Sequence, residues 1–190
     1  MGNFFCVIAW HLKSLLRFKG RDDRPTFWPY AGSVVGLAGL VMMAAMFPVF
    51  RGVADFAQQH PDRTSIETGP GRYLVTIEGP PAGLDGAMSN LTSAVNLLFG
   101  CCIGLLAAAV ARRLHDTGRT GLWGLMPVPF ILFSGAMMPR MFAEDGPRSD
   151  LFFAVFVSNW LYLAALAWLA LLLAKPGDPA GNRYGPGKTA

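Results

Sequence analysis

Four long apolar stretches, separated by polar segments, dominate the pattern of the chain. They lie at about 26–50, 90–111, 122–142 and 151–174. A helix of about 20 consecutive apolar residues is long enough to cross the hydrocarbon core of a bilayer. Each stretch therefore predicts one transmembrane span. The predicted fold class is an all-α membrane protein with four transmembrane helices.

Aromatic and proline residues mark the expected ends of these spans. Phe27, Trp28 and Tyr30 lie at the start of the first span, where an aromatic belt at the membrane–water interface is expected. Pro48 and Arg51 are expected to close that span. Three prolines predict a kinked or irregular start of the third span: Pro127, Pro129 and Pro139.

Residues 1–19 have the pattern of an amphipathic helix lying in the membrane interface. Lys13 and Arg17 are four residues apart on one face. The other face carries a stripe of apolar residues: Phe4, Phe5, Ile8, Leu12, Leu15 and Leu16. A cleaved signal peptide is disfavoured, because the positive charges follow the apolar part and no small-residue cleavage site is present.

Residues 51–89 form the only sizeable polar segment. Gly69, Pro70 and Gly71 separate two short runs, 64–67 and 73–77, which together resemble a β-hairpin with a Gly/Pro turn. An isolated hairpin is only marginally stable in water. A small hairpin and a mobile loop therefore remain equal alternatives for this segment.

The composition supports a membrane protein and excludes a typical soluble domain. Apolar residues make up 53% of the 190 residues and charged residues only 15%, whereas soluble domains carry about 25% charged residues. We therefore interpret residues 1–190 as a single four-span membrane domain with a tail at 175–190. The three cysteines have no metal-ligand spacing and form no disulfide framework: Cys6, Cys101 and Cys102. A membrane redox pair at Cys101 and Cys102 has no other support, so no metal or cofactor is expected.

The distribution of basic residues predicts the orientation in the membrane. With four spans, both termini and the loop at 112–121 lie on one side. That side holds eleven of the sixteen basic residues: Lys13, Arg17, Lys19, Arg21, Arg24, Arg112, Arg113, Arg119, Lys175, Arg183 and Lys188. The positive-inside rule places these residues in the cytoplasm, and segment 51–89 is then extracytoplasmic. A basic face beside a bilayer follows from this topology, and no nucleic-acid-binding motif is present.

The densest cluster of ionisable residues lies between the second and third spans, at residues 111–121. Asp116-Thr117-Gly118 matches the local triplet of aspartic proteases, but no second such triplet supplies the partner carboxylate that this chemistry needs. His115 is either a ligand or base, or a structural residue of a turn. Arg112 and Arg113 are suited to bind a phosphate or to anchor the span at the interface. We expect one of them to face the headgroups and the other to turn inward to Asp116.

The predicted spans contain no Asp, Glu or Lys. Ionisable residues within membrane spans usually mark transport paths or proton relays, so this composition argues against a proton-coupled transporter. Two Gly-xxx-Gly pairs offer helix contact surfaces and predict a homo-oligomer as one alternative to ordinary helix composition. They are Gly32 with Gly36, and Gly100 with Gly104.

Three motifs together resemble one family. They are Gly20-Arg21-x-x-Arg24-x-x-Phe27-Trp28, the segment 111–123 (ARRLHDTGRTGLW), and Gly181-Asn182-Arg183-Tyr184-Gly185. In this order they resemble the bacterial inner-membrane proteins of domain-of-unknown-function family 805, over nearly the whole chain. The resemblance implies four spans, cytoplasmic termini and no established activity. This sequence departs from the family pattern at Pro25 and in the length of segment 51–89.

We predict that the three motifs converge on the cytoplasmic side in a hydrogen-bonded cluster that ties the spans together, or in an anion site. The candidate residues are Arg21, Arg24, Trp28, Arg112, Arg113, His115, Asp116, Arg119, Asn182, Arg183 and Tyr184. Buried charges require partners, so Asp116 is expected to accept hydrogen bonds from arginines. The predicted function is that of a non-enzymatic inner-membrane protein. Its basic face is expected to bind anionic lipid, a phosphorylated ligand or a partner protein. The alternative is a small transporter or channel.

Overall fold

The structure is a computed structural model that describes residues 2–70, 72–77, 84–141 and 149–186. Five α-helices occupy most of these residues: α1 (Gly2–Lys13), α2 (Arg24–Gln59), α3 (Leu84–Asp116), α4 (Val128–Met141) and α5 (Ser149–Ala174). Two short 3₁₀ helices, Pro61–Arg63 and Gly121–Leu125, precede the strands and α4. The fold is therefore predominantly helical, as the hydropathy pattern predicts.

Three helices are long and apolar enough to cross a membrane: α2, the part of α3 from Ser89 to Asp116, and α5. The predicted third span, 122–142, is different. It consists of the 3₁₀ helix Gly121–Leu125 followed by the 14-residue helix α4. Pro127 and Pro129 lie around the junction, where a proline removes a helical hydrogen bond. Four spans thus remain a prediction, and three helices of spanning length are what the structure contains among the described residues.

The first span begins with a side-chain cap. The Asp23 carboxylate accepts a hydrogen bond from the backbone N–H of Thr26 at 3.1 Å, which satisfies one of the free donors of the first turn. Pro25 lies in this first turn, where its missing N–H costs no hydrogen bond. Pro48 and Arg51, the residues expected to close the first span, lie within α2, which continues to Gln59. An interior proline is tolerated in a membrane helix where its freed backbone groups are satisfied locally.

The polar segment 51–89 is shorter than predicted, because α2 and α3 extend into it from both sides. Between them, β1 (Thr64–Gly69) and β2 (Arg72–Ile77) pair antiparallel, with Thr64 opposite Ile77 and Gly69 opposite Arg72. Residues 78–83 of the segment lie outside the described part of the chain. A hairpin at 64–77 was one of the two alternatives that the sequence left open.

The contacts divide the chain into two compact units, Met1–Gly32 with Gly104–Ala190, and Ser33–Ile103. In the first unit, α4 packs along α5, and the Ser158 hydroxyl donates to the Phe130 carbonyl at 3.1 Å. The second unit holds most of α2, the strands and the first part of α3. Around Gly32, Gly36, Gly100 and Gly104, an added Cβ would meet no atom of the described residues within 4 Å.

Large apolar side chains are exposed along the helices. On α2 they include Val35, Leu37, Leu40, Met43 and Phe47, and on α5 Phe152, Phe153, Trp160 and Leu171. In water such surfaces would drive aggregation. Their presence on helices of spanning length is expected for side chains that face lipid.

Candidate functional site

The cluster of charged residues at 112–116 belongs to the last turn of α3 and not to a loop, because the helix extends to Asp116. Arg112 and Arg113 are both buried, with 2% and 0% of their surface exposed. Neighbouring residues on a helix project in different directions. The two guanidinium groups therefore enter two hydrogen-bonded networks, which we name the Arg112 network and the Arg113 network. Asp22 links them, because its carboxylate accepts from Arg112 and its backbone carbonyl accepts from Arg113 Nη1 at 3.3 Å.

The Arg112 network joins α3 to the N-terminal helix. Its Nε donates to Asp22 Oδ2 at 2.8 Å, and its Nη1 donates to the carbonyls of Ser14 and Arg17 just after α1. Its Nη2 lies 2.9 Å from Nδ1 of His11. The backbone carbonyl of Arg112 also accepts from the N–H of Asp22 at 3.2 Å. A buried cation thus holds both a buried carboxylate and the end of a helix.

The Arg113 network is centred on Asp116, whose side chain is 95% buried. One carboxylate oxygen, Oδ1, accepts from Arg21 Nε at 3.0 Å and lies 2.9 Å from Arg21 Nη2. The other oxygen, Oδ2, accepts from Arg113 Nη1. One carboxylate therefore balances two arginines, and charge-assisted bonds of this kind are stronger than neutral ones.

Arg21 uses all of its donors. Besides the bonds to the Asp116 carboxylate, its Nη groups donate to the backbone carbonyls of Asp116, Asp178, Gly185 and Pro186. An arginine has five N–H donors in a fixed fork, and these contacts occupy them. Arg21 therefore fastens the C-terminal tail to the end of α3.

Two arginines cap the last turn of α5. Arg113 donates to the carbonyls of Leu173 and Lys175, and Arg24 donates to those of Ala174 and Lys175. The last carbonyls of a helix have no partner within the helix and carry a partial negative charge. Basic side chains at this end donate hydrogen bonds to these carbonyls and compensate their negative charge. These bonds bring together the start of α2 and the ends of α3 and α5.

The Asp116-Thr117-Gly118 triplet is a helix C-terminal cap. The N–H of Gly118 donates to the carbonyl of His115 at 3.0 Å, and the N–H of Arg119 to that of Leu114 at 2.9 Å. This pair of bonds defines a Schellman motif, in which the residue after the C-cap adopts a left-handed conformation. Gly118 has φ +75°. The resemblance to an aspartic-protease triplet thus has a local structural cause.

His115 packs against the third motif. Its ring stacks on that of Tyr184 with centroids 3.8 Å apart, and its Nδ1 lies 3.3 Å from the Gly20 carbonyl. The Asn182 side chain donates to the His115 carbonyl at 2.9 Å. Asn182 and Gly185 also exchange two backbone bonds of 3.0 Å, forming a tight turn. All three sequence motifs therefore contribute to one contact region of the first unit.

Gly177 is required by the close approach of Asp116. A Cβ at Gly177 would lie 2.1 Å from Asp116 Oδ2 and 2.7 Å from its Cγ. The Asp116 backbone carbonyl also accepts from the Asp178 N–H at 2.9 Å. The tail therefore passes directly over the carboxylate and contributes to its burial.

The structure brings some of the candidate residues together and places others differently from the expectation. Six of the seven residues of the expected cluster, all but Arg183, lie in this contact region: Arg21, Arg24, Arg113, Asp116, Asn182 and Tyr184. The expectation that Arg112 or Arg113 faces the headgroups is wrong, since both are buried and four of the five donors of each are engaged.

Other candidate residues lie at the margin of these networks. Trp28 is 42% exposed and packs edge-on against Phe27, and the guanidinium of Arg183 lies over the Tyr184 ring at 4.8 Å. Arg119 contributes its backbone N–H to the cap of α3. The part of the chain that the structure describes brings no three His, Cys, Asp or Glu side chains together to hold a metal ion.

Sequence reasoning missed Asp22, His11 and Ser14, although these residues enclose Arg112. Each precedes it by about 90 residues or more, and no local pattern connects them. One signal was available. His11 lies in the amphipathic segment 1–19, three residues after Ile8 and four before Leu15 on its apolar face, and a polar ring on such a face is often buried with a partner.

The His11 environment favours the neutral imidazole. Burial lowers the pKa of His11 most strongly, the Asp22 carboxylate and the Thr26 carbonyl raise it, and the Arg112 guanidinium lowers it again. The net result is a pKa below the ordinary histidine value. His11 therefore enters the Arg112 network as a neutral hydrogen-bonding group.

Comparison with known proteins gives one match. The model of a family described as "Protein of unknown function (DUF805)" matches residues 15–186, which include all three motifs. No curated protein and no solved structure matches the chain significantly.

Proposed function

Since the chain belongs to the family of proteins of unknown function DUF805, we propose that it is a non-enzymatic bacterial inner-membrane protein with four spans and cytoplasmic termini. Its cytoplasmic face binds anionic phospholipid through exposed basic residues around α1. The observation that carries this proposal is that Arg112 and Arg113 are buried and engaged with other groups. Any anion must therefore be bound elsewhere, by cations that remain exposed.

The contacts of the Arg113 network support four crossings. Arg113, at the end of α3, donates to carbonyls at the end of α5, so both helices finish on the same side of the membrane. A spanning α5 then begins on the opposite side. Residues 117–148 connect the two ends, and they must cross the bilayer once to do so. This connection and the spanning length of α5 support the fourth crossing.

The length of the segment 121–141 agrees with this crossing. Five 3₁₀ residues at about 2.0 Å per residue and 14 α-helical residues at about 1.5 Å reach about 31 Å if they are collinear. The hydrocarbon core is about 30 Å thick. With an even number of crossings, the basic residues concentrate on the side of both termini, which the positive-inside rule assigns to the cytoplasm.

Exposed cations and apolar side chains lie together around α1. Lys13, Arg17 and Lys19 are exposed. Leu16 between them is 91% exposed, and Phe5, Leu12 and Phe18 are also exposed. An interfacial helix with this arrangement buries its apolar side chains among the acyl chains and places its cations among phosphate groups. Each such cation contributes about 1 kcal/mol of attraction to an anionic surface.

The non-enzymatic character rests on the roles of the polar residues at 115–118. The triplet that resembles a protease motif caps α3, and the His115 ring is stacked on Tyr184. Asp116 is enclosed by two arginines and the tail. Groups with these contacts stabilise the fold and are poorly placed to act on a substrate.

Lipid binding can be tested with a charge-matched pair of variants. Phosphatidylglycerol or phosphatidylcholine is titrated into detergent-solubilised protein, and bound lipid is counted by native mass spectrometry. The Lys13→Gln/Arg17→Gln variant should bind phosphatidylglycerol about 30-fold more weakly, from about 1 kcal/mol per charge. The control, Arg51→Gln/Arg140→Gln, removes the same charge from exposed sites on other elements. Equal affinity of both variants, or no preference of the wild type over phosphatidylcholine, would contradict the proposal.

Topology is tested separately by labelling single cysteines with a membrane-impermeant maleimide. Cysteines placed at Lys19 and Thr120 should react only from the cytoplasmic side, and those at Arg51 and at the exposed Ser149, where α5 begins, only from the periplasmic side. Labelling of Thr120 and Ser149 from the same side would reject the crossing by the segment 121–141 and with it the four-span arrangement.

The alternative of a small transporter or channel draws no specific support from the geometry. The buried charges near the end of α3 form closed networks with helix ends and the tail. Flux measurements in liposomes would test it directly. Homo-oligomerisation through Gly32, Gly36, Gly100 and Gly104 stays a prediction, for which cross-linking in native membranes is the appropriate measurement.

A further inference from the structure

His11 joins α1 to the Arg112 network. It is 1% exposed, and both of its ring nitrogens have partners. Nε2 lies 3.2 Å from the Thr26 carbonyl oxygen, and Nδ1 lies 2.9 Å from Arg112 Nη2. The ring also stacks on Tyr30, with centroids 4.2 Å apart and planes inclined by 11°.

These partners select one tautomer. A carbonyl oxygen can only accept a hydrogen bond, so Nε2 must carry the proton that it donates to Thr26. A guanidinium can only donate, so Nδ1 must offer its lone pair to Arg112. The neutral Nε2–H imidazole meets both requirements, and the imidazolium does not.

Protonation of Nδ1 would place two donors against each other across 2.9 Å and add a positive charge beside the Arg112 guanidinium. Asp22 compensates only in part. Its Oδ2 lies 3.8 Å from His11 Nδ1, beyond hydrogen-bond range, and it already accepts from Arg112 Nε at 2.8 Å. The docked geometry therefore disfavours a charged His11.

Displacement of Arg112 would also free the end of α1. Arg112 Nη1 donates to the carbonyls of Ser14 and Arg17, which follow the last turn of that helix. His11 itself supplies the bond from α1 to the start of α2. We propose that protonation of His11 releases α1 from its docked position, so that the docking of α1 is controlled by pH.

The charged and titratable groups that face His11 come from three elements. The segment before α2 supplies Asp22, α2 supplies Tyr30, and α3 supplies Arg112. On α1 itself, the last residue is Lys13, and its side chain is exposed. Burial has the largest effect on the pKa of His11 and lowers it. Asp22 raises this pKa and Arg112 lowers it, so the neutral ring is favoured.

The sign of the pH dependence follows from the lowered pKa of docked His11. Released His11, exposed to water, titrates near the ordinary value of about 6.5. Docking is therefore fully favourable above about pH 6.5 and is weakened as the pH falls below it, because the released state binds the extra proton. Down to the pKa of docked His11, the ratio of released to docked α1 rises by up to about tenfold per pH unit.

The first test measures His11 in the wild-type protein. In nanodiscs of fixed lipid composition, the ¹⁵N shifts of labelled histidine report tautomer and pKa, and the His11→Asn spectrum identifies the His11 signals. We expect the Nε2–H tautomer at pH 7.5 and a pKa below the ordinary value. An Nδ1–H tautomer, or a pKa at or above the ordinary value, would overturn the proposal without reliance on any variant's stability.

The second test follows α1 itself. A spin label on Cys6, which is exposed on α1, is introduced in a Cys101→Ala/Cys102→Ala background. In this spin-labelled parent protein, the mobile fraction in the electron paramagnetic resonance spectrum should rise as the pH is lowered from 7 to 5. His11→Asn keeps an acceptor near the Nδ1 position but cannot titrate, so its mobile fraction should stay constant. His60→Asn, which changes a histidine after α2, should behave like the parent.

A parallel rise in the parent and in His11→Asn would refute the release of α1 by His11, as would a constant mobile fraction in the parent. Neither test depends on lipid binding, because both are made at one lipid composition. Failure of the lipid titration would therefore leave this proposal unaffected.

Discussion

Replacing Asp116 by asparagine removes one negative charge from the Arg113 network and leaves the shape of the side chain nearly unchanged. Asp116 receives Arg21 on Oδ1 and Arg113 on Oδ2, and the side chains of both arginines are at least 95% buried. The variant therefore leaves two buried guanidinium groups without their shared anion. The amide also adds two donors that face donors already present.

The magnitude follows from this burial. Removing one partner of a buried ion pair costs about 3–5 kcal/mol, because the remaining charge stays desolvated and uncompensated. Here two cations lose their partner, so we expect a loss at the upper end of that range. Arg21→Gln should cost less, because Asp116 keeps its bond to Arg113 and the carbonyl hydrogen bonds that are lost, to Asp116, Asp178, Gly185 and Pro186, are exposed or only partly buried.

The free energy of unfolding can be measured by titrating sodium dodecyl sulfate into protein in dodecylmaltoside micelles and following tryptophan fluorescence. Asp178→Asn is the matched control. It makes the same chemical change on a half-buried carboxylate that accepts a solvent-exposed hydrogen bond from the N–H of Ala180 at 3.1 Å. This control should lose less than about 1 kcal/mol.

The reasoning is refuted if Asp116→Asn unfolds at the same detergent fraction as Asp178→Asn. It also fails if Arg21→Gln destabilises more than Asp116→Asn, since the carboxylate would then not be the common partner. Thermal melting by circular dichroism in the same micelles provides an independent ranking of the three variants.

Three further outcomes are expected from the same network and its cap. Gly177→Ala places a methyl group 2.1 Å from Asp116 Oδ2 and should cost about 1–3 kcal/mol, measured by the same unfolding titration. Gly118→Ala forces alanine into φ +75° and should cost about 1–2 kcal/mol, whereas Gly118→Asn should cost less, since asparagine tolerates this conformation. Because burial lowers the pKa of His11, wild-type stability should fall as the pH drops below about 6.5, and His11→Asn should lack this component.

The helices were predictable because each predicted span repeats one property, hydrophobicity, over 20 or more residues. Their ends were not. The sequence suggested a stop at Pro48 and at Arg112, yet α2 continues to Gln59 and α3 to Asp116. Both signals are local, whereas the true end of α3 is fixed by the left-handed Gly118 and by partners in the tail.

The candidate site was predictable where the charges alone define the pairing. Asp116 is the only acidic residue of the middle motif, so its bonds to arginines followed from the need to compensate buried charge. The partner of Arg112 could not be predicted in this way. Asp22 and Asp23 are adjacent in the sequence, and nothing in the sequence distinguishes them. The structure assigns Asp22 to Arg112 and Asp23 to the start of α2. Only the three-dimensional path of the chain separates these two roles.

The physical role of the three motifs bears on where the activity of this family should be sought. Arg21, Arg24 and Arg113 donate mostly to backbone carbonyls at the ends of helices and in the tail. Such carbonyls cost several kcal/mol each if they are left without partners away from water. Long arginine side chains are well suited to reach them from neighbouring elements. The motifs then specify how the helix ends are joined, and a specific ligand is better sought among the exposed cations that these networks leave unused.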